Sequence, residues 1–213
     1  AERVPELIKE IERDEHEIAV HGYNHLLLTQ ITPEEFERDL VKALEVLARI
    51  GTRRDIVGFR APSFTVVPKT RWVFEILEKY HFKYDSSIFP VGFHPDYGIA
   101  DAPLVPYRVT KDLVEFPISC IELFGRRFPC GGGGYFRILP YAYTKYAITR
   151  FNETGGGAVF YIHPWELDPQ QPRVNLPLMK RFRHYYGIDR TEEKLDRLLT
   201  DFHFTTIRDI LEL

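Results

Sequence analysis

His21 and His25 stand four residues apart in His-Gly-Tyr-Asn-His, a spacing that lets two imidazoles converge on one metal ion where the backbone turns once between them. Eight histidines in 213 residues would give roughly 0.3 such pairs by chance, so context has to decide. The pair follows a short β-prone stretch, residues 17–20, and Gly22 allows a sharp change of direction. Arg60 ends a second such stretch. A guanidinium fixed there commonly orients a carboxylate, with a surface ion pair as the alternative. His163 ends a third stretch and is followed by Pro164 and Trp165; a satisfied structural histidine is the alternative at that position. Convergence of three strand ends on one rim is what favours chemistry. Residues 131–134 are glycines without a following Lys-Ser or Lys-Thr, so they are no phosphate loop.

The elements that must position these side chains follow from periodicity. Residues 1–13 read as an amphipathic helix with Val4, Leu7, Ile8 and Ile11 at helical spacing. Thr32, Pro33 and Glu35 cap a second helix carrying Phe36, Leu40, Leu44 and Leu47. Residues 56–59 read as a buried strand, Pro68 opens a helix through Val73, Ile76 and Leu77, and Tyr84 and Asp85 close another strand. This alternation is the rhythm of a parallel β/α sheet or barrel, whose functional residues gather at strand C-termini. Residues 86–130, rich in proline with a β-like 113–118, read as a long surface excursion and a functional insertion. Residues 131–134 read as a flexible hinge, and residues 140–151 as a helix. Glycines 155–157 lead into the apolar run 158–162, a buried strand delivering His163. Residues 191–213 read as two helices around a short strand at 203–205.

Composition narrows the function. The length suits one compact unit with a C-terminal extension, and no apolar run approaches the roughly 18 residues that span a bilayer. The 28 Lys and Arg are interspersed with 31 Asp and Glu for a net charge of −3, so no basic field is offered to nucleic acid. Twelve Tyr and 16 Phe supply flat amphipathic rings suited to sugar faces, although a Phe-rich core accounts for many of them. Cys120 and Cys130 either pair or remain as free thiols.

His-Gly-Tyr-Asn-His at 21–25, Arg-Ala-Pro-Ser-Phe at 60–64, Tyr-Asp-Ser-Ser at 84–87 and Ile-His-Pro-Trp-Glu at 162–166 occur in that order. Together they resemble the polysaccharide deacetylases of carbohydrate esterase family 4, the NodB homology group. Gly-Gly-Gly-Tyr-Phe-Arg at 132–137 and His-Pro-Trp-Glu-Leu-Asp-Pro at 163–169 are similar to the branch found beside exosortase and exopolysaccharide loci. The resemblance implies an incomplete, distorted (β/α) barrel, with residues 1–100 as its deacetylase region and 101–213 as a decorated C-terminal half. It implies His21 and His25 as ligands of a divalent metal, with zinc the expected ion, and Arg60 as the support of a catalytic carboxylate. Ser63 takes the position whose amide binds the oxyanion, His163 that of the general acid, and Asp85 a lining position that orients it. Tyr135, Arg137 and Trp165 of the branch motifs are expected to bind substrate.

The chemistry expected is hydrolysis of an acetamide on an N-acetylhexosamine polysaccharide, with the metal polarising the carbonyl and activating water while His163 protonates the leaving amine. The family's first strand, bearing an acidic metal ligand and the general base, is not visible before His21, and the chain reads as starting within a fold. Little acetate release is therefore expected from this chain alone. A cytoplasmic or membrane-peripheral location is favoured; the oligomeric state is left open. Two rivals stand beside this reading: a non-catalytic carbohydrate-binding or assembly protein of the same fold, and a hydrolase of small cyclic amides.

Overall fold

The computed structural model describes residues 1–92, 97–153 and 157–213. Its first half contains α1 (Pro5–Arg13), α2 (Pro33–Ile50), β1 (Gly58–Phe59), α3 (Val73–Lys79), β2 (Tyr84–Asp85), β3 (Tyr107–Arg108) and β4 (Val114–Glu115). There follow β5 (Cys120–Leu123), β6 (Arg126–Pro129), α4 (Gly133–Ile138), α5 (Tyr141–Glu153), α6 (Leu178–Tyr185), α7 (Thr191–Asp201) and α8 (Ile207–Ile210). Packing separates Ala1–Pro117 with Thr205–Leu213 from Ile118–Phe204.

In the first unit, α2 starts where its capping residues predict. Thr32 Oγ1 accepts from the Glu35 amide at 3.3 Å, and Glu35 Oε2 accepts from the Thr32 amide at 2.8 Å. The stripe Phe36, Leu40, Ala43 and Leu47 is buried with Phe59, Leu77, Phe82 and Leu113. Each large side chain buried there is worth roughly 1.5–3 kcal/mol, so this cluster is what seats the helix on the sheet. The sheet order is β1-β2-β4-β3. β1, β2 and β4 run parallel, with Phe59 beside Asp85 and Asp85 beside Glu115, and β3 adds an antiparallel edge. The expected strand at 17–20 contributes a single parallel bridge, Val20 to Phe59. The surface excursion expected over 86–130 does not form: among its described residues Ile88, Phe89, Leu113, Phe116, Ile118 and Cys120 are buried, because β2 needs a second parallel neighbour and the chain returns as β4 to supply it.

In the second unit, β5 and β6 form an antiparallel hairpin through Phe124 and Gly125, both at positive φ, as a two-residue turn between twisted strands requires. Phe136, Tyr141, Ile148 and Leu198 pack as a buried apolar cluster joining α4, α5 and α7. The expected hinge is instead a close backbone approach. Gly133 donates to the Tyr161 carbonyl at 3.0 Å and Tyr161 donates to that of Gly131 at 2.7 Å. A Cβ on Gly132, whose φ is +115°, would fall 2.0 Å from the Tyr161 oxygen. Among the described residues the run 158–162 makes only this one bridge and buries only Val159, so it is no continuous strand; Gly155 and Gly156 lie outside the described residues. Residues 203–205 are likewise irregular, and α6, which apolar periodicity did not announce, has no buried residue. Cys120 and Cys130 are buried free thiols, and burial pushes the Cys130 thiol up to about 12. The class is mixed α/β with a partial parallel sheet, that of the incomplete barrel expected.

Gly132→Ala is expected to cost about 1–3 kcal/mol through backbone strain, read as a lower urea midpoint at unchanged slope. A variant as stable as its parent would refute the close approach.

Candidate active site

The parallel strands of the first unit bring their C-terminal ends together. Val20 accepts from the Arg60 amide and donates to the Gly58 carbonyl, both at 2.9 Å, so His21 leaves its bridge beside Arg60. The His21 and His25 rings then lie edge to face at 5.0 Å between centroids. Two imidazoles sharing a tetrahedral ion at about 2.0–2.1 Å from each nitrogen would lie at roughly this separation. His21 Nδ1 lies 2.7 Å from the Arg60 carbonyl oxygen. A carbonyl only accepts, so Nδ1 carries the proton and Nε2 presents the lone pair a metal needs. The pair therefore fits a divalent ion. Among the described residues no cluster of three His, Cys, Asp or Glu surrounds such a site, and the two imidazoles are fewer than the three protein ligands usual for catalytic zinc.

Asp39 holds the loop that carries the pair, and sequence reasoning missed it. Its carboxylate accepts from the Tyr23 amide at 2.7 Å, the Asn24 amide at 3.0 Å and Asn24 Nδ2 at 2.7 Å. The signal was present: Asp39 lies on the apolar face of α2, three residues after Phe36, and is 6% exposed. Gly22, at φ +76° with Asp39 Oδ2 3.1 Å from where its Cβ would stand, lets the loop close onto that carboxylate.

Arg60 donates through Nε to the Ser86 carbonyl at 2.8 Å and through Nη2 to the Ser86 hydroxyl at 2.7 Å. Its guanidinium is thus fixed by the end of β2. The next turn places Ser63 and Phe64 at φ 53° and 55°, a left-handed run that non-glycine residues seldom adopt. Buried Thr65 holds it, donating to the Pro62 carbonyl at 2.7 Å and accepting from the Leu28 amide at 3.1 Å. Ser63 is exposed at the start of a short 3-10 turn, where amides have no intrahelical acceptor; that geometry suits an oxyanion donor.

Asp85 is fully buried and its hydrogen bonds go to neighbouring side chains. It accepts from the Ser87 hydroxyl at 2.5 Å, and Ser87 Oγ in turn accepts from the Ala61 amide at 2.7 Å. Its register partner Glu115, equally buried, accepts from the Ile88 amide at 2.8 Å. The remaining oxygens, Asp85 Oδ2 and Glu115 Oε2, have no donor among the described residues. The two carboxyls are register partners, so a proton kept by one of them supplies the donor that these oxygens lack. Burial, and then the charge of Asp85, push Glu115 well above the ordinary carboxyl range. Burial also raises Asp85, against the pull of Glu115, Ser87 and Arg60. Glu115 is the proton holder.

In the second unit, His163 is half exposed and its Nδ1 lies 3.1 Å from Glu166 Oε2, which also accepts from the His163 amide at 2.9 Å. Glu166 is buried and paired with Arg137 Nε at 2.7 Å. Burial alone would raise the Glu166 carboxyl, but His163 and Arg137 outweigh it and hold it below its ordinary value. A carboxylate therefore receives Nδ1–H of His163 and leaves Nε2 outward. The carboxyl that orients His163 is this neighbour three residues on, while the hydrogen bonds of Asp85 go to Ser87 and Glu115. Arg137 is 4% exposed, and its other donors go to the carbonyls of Arg183, His184 and Tyr186 at 2.8–2.9 Å. It holds the frame rather than a ligand. Trp165 stacks with His163 at 5.6 Å and His184 at 4.4 Å; Tyr135 is half buried on α4.

Residues 1–84 match the family described as Polysaccharide deacetylase, and residues 86–212 the family described as Domain of unknown function (DUF3473). The chain belongs to the family described as Domain of unknown function (DUF3473), and its residues 1–84 are a polysaccharide deacetylase region of the NodB type. It is 38% identical over 72 residues to the peptidoglycan deacetylase-like protein FGM2 of Gibberella zeae, which covers 34% of this chain and 20% of that protein. It is 34% identical over 125 residues to a peptidoglycan deacetylase of Helicobacter pylori, covering 49% of this chain and 39% of that one. The chain thus spans well under two thirds of the length of these relatives. A probable polysaccharide deacetylase from Pseudomonas aeruginosa superposes with a TM-score of 0.59 at 19% identity, over 99% of this chain and 63% of that one. Puue allantoinase does so at 0.57 and 18%, over 99% and 62%. These two likenesses concern the fold.

Because Glu115 keeps its proton in the folded protein and loses it in the unfolded chain above the ordinary value of 4.5, its contribution to stability is full below that value. It falls as pH rises toward the raised one. Glu115→Gln replaces a neutral donor by a neutral donor. Urea unfolding between about pH 5 and pH 8 should show the parent losing stability with rising pH and the variant losing less. Parallel curves would show that Glu115 holds no extra proton.

Proposed function

We propose that this chain is part of a metal-dependent hydrolase that removes N-acetyl groups from an N-acetylhexosamine-containing polysaccharide or exopolysaccharide, with residues 1–100 as the deacetylase region and 101–213 as its branch-specific half. The observation that carries the reading is the His21–His25 pair at a parallel strand end, with the His21 tautomer set by the Arg60 carbonyl. Family membership supports the reaction class.

An acetamide is a poor electrophile, and a divalent ion such as zinc, held by His21 and His25, would supply the Lewis acidity its hydrolysis requires. The protein's own groups do the rest. The Ser63 amide, held in its left-handed turn, donates to the oxygen on which charge develops. Arg60, fixed on Ser86, sets the His21 ring and supports the catalytic carboxylate. Water oxygen adds to the carbonyl carbon and its proton passes to that carboxylate, the C–N bond breaks, and His163 gives its Nε2 proton to the departing nitrogen while Glu166 stabilises the imidazolium. The products are acetate and a free amine on the sugar. Tyr135 and Trp165 remain proposed substrate contacts, with Arg137 placing the His163 segment.

Calorimetric titration with zinc should show binding weakened about tenfold or more by His21→Ala and by His25→Ala; unchanged binding would refute the pair. Acetate release from chito-oligosaccharides, followed in the longest form of the protein that shows it, should fall about 10²–10⁴-fold in His163→Ala and less in Glu166→Gln. Undiminished turnover in His163→Ala would remove the acid role. Preference for cyclic amides over the oligosaccharides would replace the substrate class.

A further inference from the structure

We infer that the second unit carries a subsite for a carboxylate-bearing sugar residue, in the cavity lined by Arg173, Val174, Asn175, Arg181 and Tyr185. The inference rests on the polysaccharide reading above and narrows it to acidic polysaccharides.

The cavity has a volume of about 370 Å³, within the roughly 300–1,000 Å³ of small-ligand pockets. Two of its five lining residues are arginines and none is acidic. Neither Arg173 nor Arg181 forms an ion pair among the described residues. Residues 169–188 contain Arg173, Lys180, Arg181 and Arg183 and neither Asp nor Glu, with Asp168 and Asp189 just outside that stretch. Arg173 is held ready: its guanidinium lies 4.3 Å from the centre of the Tyr185 ring. The Tyr185 hydroxyl is itself tied to the Val174 amide at 3.0 Å. A planar, preoriented guanidinium beside a second one is the arrangement that takes a carboxylate bidentately. The positive field is also felt nearby: His184 is pushed below its ordinary value by burial and then by Arg137 and Arg173.

Ring contacts connect the cavity to the proposed acid. Tyr185 meets His184 edge to face at 4.5 Å, His184 stacks on Trp165 at 4.4 Å, and Trp165 stacks with His163 at 5.6 Å. One row of rings thus joins the cavity to His163. The rival ligand is an anionic membrane surface, since Leu178 and Met179 on α6 are 81% and 71% exposed beside the same cations. What favours the sugar is that the cations line a concavity of monosaccharide scale and one is fixed on a ring, whereas a bilayer needs projecting, mobile cations.

Calorimetry on this chain would compare oligogalacturonate with its fully methyl-esterified form, neutral chito-oligosaccharide and phosphatidylglycerol vesicles. Oligogalacturonate should bind, esterification should weaken it about tenfold or more, and Arg173→Gln with Arg181→Gln should do the same. Lys180→Gln, an exposed cation outside the cavity, should leave it within about twofold. Circular dichroism checks that the variants fold. Equal binding of acid and ester, an equal loss in Lys180→Gln, or tighter binding to vesicles than to oligogalacturonate would each overturn the subsite. Absence of all oligosaccharide binding would do so too. None of these results bears on zinc binding or acetate release, which decide the deacetylase reading separately.

Discussion

A carboxyl taken out of water must be given donors or a proton, since an unpaired buried charge costs several kcal/mol. Asp39, Asp85, Glu115 and Glu166 are all buried, and Asp39, Asp85 and Glu166 satisfy this demand through segments that carry proposed functional groups. Asp39 gathers the amides of the His21–His25 loop. Asp85 draws in Ser87 and through it the Ala61 amide at the start of the Ser63 turn. Glu115 keeps a proton and takes the Ile88 amide, and Glu166 takes the amide and ring of His163 together with Arg137. These segments are specified by desolvation as much as by the groups that would touch a substrate.

Short parallel strands make that arrangement possible. Two-residue strands leave little ladder, so the loops at their C-terminal ends carry most of the fixed geometry. Backbone and side chain serve together there. The Arg60 amide pairs with Val20, its carbonyl sets the His21 tautomer, and its guanidinium grips Ser86. One residue thus ties three successive loops, which explains why an arginine at this strand end bears more than an ion pair. The left-handed conformations of His25, Ser63 and Phe64 fall within the same loops, where surrounding hydrogen bonds hold backbone that is costly elsewhere.

The second unit uses a different device for the same end. The buried Arg137–Glu166 pair has side chains 3% and 1% exposed, and its remaining donors terminate the backbone between Arg183 and Tyr186. An ion pair so deeply buried stabilises only where every polar atom finds a partner, and these carbonyls complete it. Its result is directional: the His163 ring is supported by an ionised carboxylate, and the aromatic row from His163 to Tyr185 is set against it.

The sequence alone determined the capped α2 with its apolar stripe, the parallel α/β rhythm up to Asp85, and the residue types at the strand ends, because these depend on periodicity and local hydrogen bonding within a few residues. Four motifs in order also carried the family. It misread residues 86–130 as surface, the glycines at 131–134 as a hinge and 158–162 as a strand. In each case the outcome rests on a partner distant in the chain: β2 for β4, and Tyr161 for Gly132. The roles of Asp39, Glu115 and Glu166, and the engagement of Arg137, were likewise decided only by tertiary structure. A carboxyl's or guanidinium's role follows from which donors and acceptors burial leaves it, and burial is a property of the folded chain rather than of the residue.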